Sequence, residues 1–338
     1  MTDITRYHRQ TLFHPIGEVG QEKLANKHVL LIGCGALGSS AAEMLARAGI
    51  GELTLIDRDY VELTNLQRQH LFTEEDVKNK IPKVIAAVNK LQVINSEITI
   101  NSVVMDATAD NLADYIKKAD LIIDATDNFD TRFVINDLAH KYRVPWIFGA
   151  CVGSSGMTFT IIPGQTPCLN CLLKVTPVFG ATCDAIGVIG PAVQMVVTHQ
   201  VTEAIKILID DTKHIRSQLI IFDLWNNHYQ SIDVSRSKQA NCTSCGGELP
   251  TFPSLSYQNQ TKSEVLCGRD TVQIRGKQYS LGDLASMLSK YGEVQTNAFL
   301  VSVVIDSMRL VFFHDGRTFV HGTSSIEEAK KLYYQVIG

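Results

Sequence analysis

The sequence predicts an α/β fold in which a mostly parallel sheet is covered by helices on both faces, followed by a small C-terminal α+β domain. Strand-length apolar segments alternate with helical segments from residue 28 to residue 150, an alternation typical of a parallel sheet. The first strand runs into a glycine-rich turn. Beyond residue 150, short runs of β-forming residues predict antiparallel strands added to the same sheet.

The first strand and its turn predict a nucleotide site. Four apolar residues lead into Gly33, Gly35 and Gly38, spaced G-x-G-x-x-G before an alanine-rich helix. Glycines let the chain turn sharply and let a phosphate approach the backbone, while free amides at the helix N-terminus face anionic oxygens. A second apolar strand ends at Asp57, where the ribose-binding acid of a Rossmann-like fold belongs. The pattern does not say which nucleotide binds.

The remaining elements follow in order, after a polar N-terminal segment that we expect to be a solvated helical arm. A polar loop over residues 58–69 lies at the carboxyl end of a strand, where open α/β sheets bind ligands. The pattern then predicts helices over about 80–91, 109–118, 131–142 and 191–209, and strands over 98–104, 121–124, 144–150, 153–162, 219–223 and 229–234.

The second domain is predicted from a change in composition. Residues 235–262 are polar and contain two prolines, so we expect one domain over 1–250 and another over 265–338. Within the latter, the pattern predicts a hairpin over 271–280, a helix over 281–291, strands over 299–305 and 308–314, and a helix over 325–336.

Composition narrows the class of protein. The 338 residues are 45% hydrophobic and 20% charged, which is enough for a large core, and no apolar run reaches the roughly eighteen residues of a membrane span. The polar N-terminus resembles no signal peptide, so we expect a cytoplasmic protein. A net charge of −4 argues against nucleic acid as the main partner. A protein or metabolite partner fits better.

Two cysteine pairs predict a metal site. Cys168 and Cys171 form one C-x-x-C pair, and Cys242 and Cys245 form a second. This arrangement suits a closed tetrahedral zinc site with a structural role; the alternative is four unrelated thiols. Cys183 is unpaired in a loop rich in Pro and Gly, and it is either a small buried side chain or a nucleophilic thiol.

Charged residues near the glycine turn raise the question of what the nucleotide is. The turn alone most often indicates a nicotinamide or flavin cofactor, whereas a polar loop with Arg68 suits a triphosphate. Lys83 and Arg132 add charge there unless they are ordinary surface cations. Asp124 and Asp127 end an apolar strand and are placed to hold Mg2+. The alternative for Asp127 is a helix N-cap.

The ordered set of motifs from about Thr5 to Cys245 resembles the ThiF/MoeB/HesA family. These E1-like enzymes adenylate small ubiquitin-like sulfur carriers. The resemblance rests on the glycine turn, Asp57, the two cysteine pairs and four further segments: Arg6-Tyr7-His8-Arg9-Gln10, Asn65-Leu66-Gln67-Arg68-Gln69, Pro82-Lys83 and Asp124-Ala125-Thr126-Asp127-Asn128.

The resemblance implies roles for individual residues at an ATP site. Asp57 would bind the ribose, and Asn65, Arg68 and Lys83 would hold the phosphates. Asp127 would bind Mg2+. The three glycines and Asn128 would complete the site, and the four paired cysteines would bind Zn2+.

The resemblance also implies partners. The substrate would be a carrier with a C-terminal Gly-Gly, of the MoaD or the ThiS type, whose carboxylate attacks the α-phosphate of ATP. Arg9 would reach the ATP of the other subunit in a homodimer. Cys183 would take part in sulfur transfer, with a cysteine desulfurase or a rhodanese as a separate sulfur donor. The alternative function is an NAD-type oxidoreductase or a regulatory binding protein on the same turn.

Overall fold

The computed structural model describes residues 4–173, 187–247, 250–256, 263–266, 270–276 and 278–337. These residues form two compact units. The first contains residues 4–173 and 188–256, within the described ranges, and the second contains Gly187 and the described residues from 263 onwards. The predicted domain boundaries at residues 250 and 265 stay predictions.

The first unit is built on an eight-stranded sheet of order β3-β2-β1-β4-β5-β6-β7-β8. Strands β1 to β5 are parallel and β6 to β8 run antiparallel. The prediction of a mostly parallel sheet with added antiparallel strands is confirmed. The strands are β1 His28–Ile32, β2 Glu52–Asp57, β3 Thr99–Val104, β4 Leu121–Asp124, β5 Trp146–Val152, β6 Ser155–Ile161, β7 Gln218–Asp223 and β8 His228–Asp233.

Helices cover both faces of this sheet because its central strands are apolar on both sides. Val29 and Leu31 of β1 enter one core, while Leu30 and Ile32 enter the other. Each fully buried side chain of this kind stabilises the fold by about 1.5–3 kcal/mol. The helices are α1 Ile4–Thr11, α2 Gly17–Ala25, α3 Ala36–Ala48, α4 Glu74–Lys78, α5 Lys83–Ile94, α6 Ala109–Ile116, α7 Phe129–Tyr142, α8 Leu169–Leu173 and α9 Gly190–Leu208.

The strand order determines where a ligand binds. The chain goes outward from β1 to β3 on one side and resumes at β4 on the other. Ligands of open α/β sheets bind at such a reversal, beyond the carboxyl ends of the strands. The glycine turn after β1 and the segment after β4 therefore face the same crevice.

The N-terminal arm differs from its prediction. Tyr7 of α1 is only 3% exposed, and its hydroxyl accepts a hydrogen bond of 2.8 Å from Asn95 Nδ2. A Cβ added at Gly49 would lie 2.5 Å from the Tyr7 ring, so the absence of a side chain there makes room for the aromatic ring. The arm is helical and its Arg6, His8 and Arg9 are exposed, as predicted, but Tyr7 is buried and packs the arm against the rest of the unit.

Helix α5 also begins later than predicted. Lys80 has a left-handed backbone with φ of 49°, and Pro82 is extended with ψ of 138°. Since proline disfavours helical geometry at the residue before it, the helix begins at Lys83 rather than near Lys80.

The second unit is a six-stranded antiparallel sheet of order β11-β12-β13-β14-β10-β9 with two helices, which confirms the α+β prediction. Its core joins one face of the sheet to both helices. The elements are β9 Ser263–Leu266, β10 Thr271–Arg275, α10 Leu281–Leu288, β11 Val294–Thr296, β12 Leu300–Ile305, β13 Met308–Phe313, β14 Arg317–His321 and α11 Ile326–Ile337.

The hairpin predicted over residues 271–280 is wrong. Strand β10 pairs with β9 and β14 instead. The described residues 278–280 lead into α10, where the Ser280 hydroxyl accepts a hydrogen bond from the N–H of Asp283. A serine at this position favours a helix start over a strand. Among the described residues of both units, no helix combines the length and apolarity needed to cross a bilayer.

Candidate active site

Each of the three glycines of the turn is required for a different structural reason. Gly33 has φ of +94°, and a Cβ there would lie 2.5 Å from the Ala125 carbonyl oxygen. A Cβ at Gly38 would lie 1.9 Å from the Gly33 oxygen. These two glycines hold β1, α3 and the segment after β4 together. Gly35 begins α3 as its N-cap, and the first amides of that helix are available for an anion.

Asp57 closes the turn on one side. Its Oδ2 accepts a hydrogen bond of 2.6 Å from the Cys34 N–H, and its Oδ1 accepts one of 2.7 Å from the Asp59 N–H. Burial raises the pKa of the Asp57 carboxyl, and the Lys83 ammonium opposes that shift. The acid is thus fixed at the carboxyl end of β2, as the sequence predicts.

Lys83 belongs to the same group of buried charged side chains as Asp57. It is 4% exposed, and its Nζ lies 3.0 Å from Asp59 Oδ2. Its N–H also donates to the Asp59 carbonyl oxygen. The alternative of an ordinary surface cation is therefore wrong for Lys83, because the start of α5 and Asp59 hold the ammonium beside Asp57. Asp59 was not among the predicted site residues, although the alternating acids at residues 57 and 59 were a signal for it in the sequence.

The polar loop after β2 contributes Asn65 and Arg68. A short 3-10 turn, Leu63–Asn65, buries Asn65 to 2% exposure, and Asn65 Oδ1 accepts the Glu62 N–H at 3.0 Å. Arg68 is half-buried, and its Nη1 donates to the Thr64 carbonyl oxygen at 3.0 Å. The turn thus fixes the amide while the guanidinium stays accessible to a ligand.

Arg132 has a role other than the two predicted for it. It is 5% exposed, and its Nε donates to Asp124 Oδ2 at 3.0 Å. Its Nη2 donates to the carbonyl oxygens of Thr126 and Gly149, at 2.5 and 2.9 Å. Neither alternative, phosphate-binding cation or surface cation, describes it. Arg132 joins the segment after β4 to β5 from inside the protein.

Asp124 and Asp127 lie in different environments, since Asp124 is buried and Asp127 is exposed. Both oxygens of Asp124 are occupied, Oδ1 by the N–H and hydroxyl of Thr126 and Oδ2 by Arg132. Burial raises the pKa of Asp124, and Arg132 opposes the shift. Asp124 is therefore part of the buried hydrogen-bond network through which Arg132 joins the segment after β4 to β5. Asp127 is exposed at the site edge, which makes it the acid of the pair that is accessible to a cation.

The N-cap of α7 is Asn128. Its Oδ1 accepts a hydrogen bond of 2.8 Å from the Thr131 N–H. The alternative of Asp127 as the cap is therefore wrong. The Asp127 carboxylate faces solvent, and its Oδ1 lies 3.5 Å from Asn128 Nδ2.

Two predicted site residues are not brought to this crevice by the described part of the chain. Arg9 is exposed on α1, and α1 packs at the far end of α3, where Gln10 Nε2 donates to the Ala48 carbonyl oxygen. Helix α3 has 13 residues and is therefore about 20 Å long, so Arg9 lies far from the turn of its own chain. Cys183 lies outside the described residues.

The four paired cysteines form one cluster. Their Sγ atoms lie within 4.8 Å of one another, with Cys168 to Cys242 at 3.5 Å and Cys171 to Cys245 at 3.6 Å. A tetrahedron with 2.3 Å bonds has edges of about 3.8 Å, so the geometry fits zinc. The Gln239 N–H donates to Cys171 Sγ, as expected around a thiolate.

Neighbouring elements hold this cluster in place. Asn136 of α7 accepts the Leu169 N–H through Oδ1 at 2.9 Å. Asn170 Nδ2 donates to the hydroxyl of Ser244, which is 1% exposed. The cluster therefore ties α8 to the segment after β8.

Fold and site together define the class of protein. A glycine turn between a strand and a helix, with a buried acid at the end of the next strand and at the reversal of a parallel sheet, is typical of nucleotide-binding α/β proteins. Here a cysteine cluster able to hold a metal is added. A sequence model described as the ThiF family matches residues 7–244. The chain belongs to the ThiF family.

Individual relatives agree with that assignment. The chain is 50% identical over 337 residues to a Bacillus subtilis protein named sulfur carrier protein ThiS adenylyltransferase, covering 98% of this chain and 99% of the relative. An Escherichia coli protein of the same name is 37% identical over 72% of this chain and 96% of its own length. A crystal structure of E. coli MccB with MccA-N7isoASN superposes with a TM-score of 0.63, at 25% identity, over 71% of this chain and 75% of that one.

Proposed function

We propose that this protein uses ATP to adenylate the C-terminal Gly-Gly carboxylate of a ubiquitin-like sulfur carrier of the ThiS type, releasing pyrophosphate. The observation that carries the proposal is the 50% identity over nearly the whole chain to a ThiS adenylyltransferase. The acyl adenylate then serves as the activated form for thiocarboxylate formation. An NAD-type oxidoreductase is supported only by the glycine turn, which both classes share.

The residue types fit this chemistry. A carboxylate attacking the α-phosphate brings two anions together, so the site must supply positive charge. The Lys83 ammonium, held by Asp59, and the accessible Arg68 guanidinium are the cations assigned to the phosphates. No general base is needed because the nucleophile is already ionised. Catalysis is then mainly orientation and charge neutralisation.

Asp57 and Asn65 orient the nucleotide in this proposal. Asp57 is fixed by two main-chain amides and would accept hydrogen bonds from the ribose hydroxyls. Asn65 uses Oδ1 internally, which leaves its amide nitrogen to donate to a phosphate. The first amides of α3 add further donors beside Gly35.

Asp127 is the proposed Mg2+ residue, with Asn128 holding its segment in place. Mg2+ prefers one or two carboxylates together with phosphate oxygens, and Asp127 presents an exposed carboxylate after β4. When bound, the ion would neutralise charge on the phosphates. Asn128 caps α7 and so fixes the direction in which Asp127 points.

The four cysteines are the proposed zinc ligands. Four ligands leave no open coordination position, so the ion would stabilise the fold and take no part in the reaction. The support is the compact set of Sγ atoms and the amide hydrogen bond to Cys171.

We assign the working form to a homodimer in which Arg9 completes the ATP site of the partner. Arg9 lies far from its own turn, and three large apolar side chains that follow it are more than half exposed: Leu12, Phe13 and Val19. Burying them against a second copy would be favourable. Subunits carrying Arg9→Ala and Asp127→Ala, each inactive alone, should regain activity when mixed. Failure of every mixture to recover would contradict a shared site.

Sulfur transfer is assigned to Cys183, with a separate cysteine desulfurase or rhodanese as donor. Attack on ATP needs no thiol, so Cys183→Ser should keep carrier-dependent pyrophosphate exchange and lose thiocarboxylate formation. Loss of exchange would contradict this division. An unchanged thiocarboxylate yield would remove Cys183 from the reaction.

Pyrophosphate exchange into ATP tests the proposal directly. Purified protein is assayed with no carrier, with a ThiS-type carrier and with a MoaD-type carrier. We expect exchange that depends on a carrier and has the higher kcat/KM with the ThiS type. Preference for the MoaD type would overturn the choice of carrier, and absence of exchange with both would overturn adenylation.

A further inference from the structure

Helix α3 runs from the glycine turn to the N-terminal arm, and its last turn binds side chains from three other segments. The Ala48 carbonyl oxygen accepts hydrogen bonds from Gln10 Nε2 of α1 at 2.9 Å and from Gln21 Nε2 of α2 at 3.0 Å. The Ala46 carbonyl oxygen accepts one of 2.7 Å from Asn95 Nδ2, just after α5. Because the last carbonyls of a helix have no partner within the helix, these amides are favourable partners for them.

The same amides hold the arm. Asn95 Nδ2 also donates to the Tyr7 hydroxyl at 2.8 Å, and Gln10 Nε2 also donates to Gln21 Oε1 at 2.6 Å. Tyr7, Gln21 and Asn95 are 3%, 8% and 0% exposed, so these hydrogen bonds are shielded from water, which strengthens them. We call Tyr7, Gln10, Gln21 and Asn95 the arm anchor.

A second helix end adds a contact to the arm. Arg6 Nη1 donates to the Ile94 carbonyl oxygen, in the last turn of α5, at 3.0 Å, and Arg6 Nε lies 3.8 Å from Glu97 Oε1. A cation is favourable at a helix C-terminus. Helix α3 begins after Gly35, and α5 begins at Lys83. The arm is therefore attached to the far ends of two helices that begin at the candidate active site.

Arg9 lies within this anchored arm. It is exposed, and its guanidinium makes no hydrogen bond or ion pair with the residues that the structure describes. Helices α3 and α5 have 13 and 12 residues and are about 20 and 18 Å long, which keeps Arg9 away from the site of its own chain. A side chain that serves a site on another subunit must be held in place, because a misplacement of about 1 Å can cost a hundredfold in rate.

We propose that the arm anchor positions Arg9 for the ATP site of the partner subunit, so that its four members are positioning residues whose effect appears in the other subunit. This inference rests on the homodimer with a shared site in the proposed function. Loss of the anchor leaves the site of the same chain intact and loosens the arm that serves the other one.

Two heterodimers of full-length chains, each purified through two different tags, test this with the double substitution Tyr7→Phe/Gln10→Ala. In the first, one chain has the double substitution and the other has Asp127→Ala. In the second, one chain has all three substitutions and the other is wild type. The first should keep about half of wild-type carrier-dependent exchange, because an intact arm serves its intact site. The second should be about tenfold less active than the first, because a loosened arm serves its intact site.

Asn26→Ala is the matched control. The Asn26 amide also donates to a carbonyl oxygen near a helix end, that of Glu22 at 2.8 Å, but it does not hold the arm. With Asn26→Ala in place of the double substitution, both heterodimers should have the same activity. The milder Gln10→Ala alone should give a smaller difference in the same direction as the double substitution.

Equal activity of the two heterodimers with the double substitution and with Gln10→Ala, or higher activity of the second, would overturn the role of the arm anchor. Arg9→Ala in the same two arrangements separates this inference from the shared site. If Arg9→Ala gives the expected difference and the anchor substitutions do not, only the role of the anchor is overturned. If Arg9→Ala gives no difference either, both the anchor and the shared site are overturned.

Discussion

The glycine-turn crevice and the cysteine cluster use their polar side chains in opposite ways. In the cluster, four thiols face one another within 4.8 Å, and the surrounding amides are paired. In the crevice, Asp127 faces solvent and Gln69 Oε1 lacks a described partner. A saturated, closed set of ligands holds structure together, whereas a set with unused hydrogen-bonding capacity is ready for a substrate. The comparison predicts that the two regions fail differently when mutated.

Cys242→Ser should give the largest effect on stability. Loss of one ligand should release the zinc and lower the Tm by roughly 10 °C, because metal binding is coupled to folding and about 3 to 5 kcal/mol corresponds to such a shift in a unit of this size. Metal analysis and calorimetry measure both quantities. Cys151→Ala, outside the cluster, should keep one zinc per chain. Full zinc content in Cys242→Ser would contradict the assignment of the four cysteines as the zinc ligands.

Lys83→Met should have the largest effect on activity, and because it removes the ammonium partner of the Asp59 carboxylate it should also lower the Tm. The ammonium is held beside Asp57 by Asp59, and removing a positive charge aimed at the developing charge of a reaction costs roughly 100- to 1,000-fold in rate. Pyrophosphate exchange under saturating ATP and carrier measures it. Lys213→Met, at an exposed site, serves as the control. A rate near wild type in Lys83→Met would separate this residue from the phosphates.

Arg132→Lys sharpens the difference between direct and indirect action. Lysine keeps the charge but cannot reach Asp124 and the carbonyl oxygens of Thr126 and Gly149 together. Since Asp127 follows Thr126, we expect a kcat about tenfold lower and a higher Mg2+ concentration for half-maximal rate, with the KM for carrier unchanged. Arg47→Lys, a surface ion pair, should change neither. An effect on Tm alone would make Arg132 purely structural.

Asn128→Ala should give the smallest effect. The side chain caps α7 through the Thr131 N–H, and loss of such a cap costs about 1 kcal/mol. Denaturant unfolding measures the change, and Asn128→Ser should restore most of it. If alanine proves neutral and the Mg2+ dependence of exchange shifts instead, Asn128 contacts the nucleotide rather than supporting Asp127.

The sequence was sufficient to predict a feature where one physical requirement explains why that residue type stands at that position. The alternation of strands and helices, the turn at Gly33 and Gly38, and the two cysteine pairs each depend on local geometry or on spacing that few other structures tolerate. It failed where the partner is distant along the chain. Tyr7 is hydrogen-bonded to Asn95 and packs at Gly49. The polar sequence around Tyr7 gives no sign of either contact, because both partners lie far along the chain. Arg132 was taken for a ligand-facing or surface cation because its carbonyl partner on β5 is known only after folding.

The same limit applies to Asp59 and Gln69. A buried lysine needs a counter-ion, and the alternating acids after β2 offered one. That the side-chain oxygen of Gln69 has no described partner is visible only when the hydrogen bonds of its neighbours are known. Unused capacity at a site is thus a property of the folded chain and cannot be read from a motif.

The carrier tail tests directly whether the crevice joins ATP to a free C-terminal carboxylate. Pyrophosphate exchange is measured with a ThiS-type carrier ending in Gly-Gly and with the same carrier amidated at its C-terminus. The amidated carrier keeps the docking surface but has no ionised nucleophile. We expect exchange with the free carboxylate and none above background with the amide. Equal exchange with both carriers, or exchange without any carrier, would contradict it.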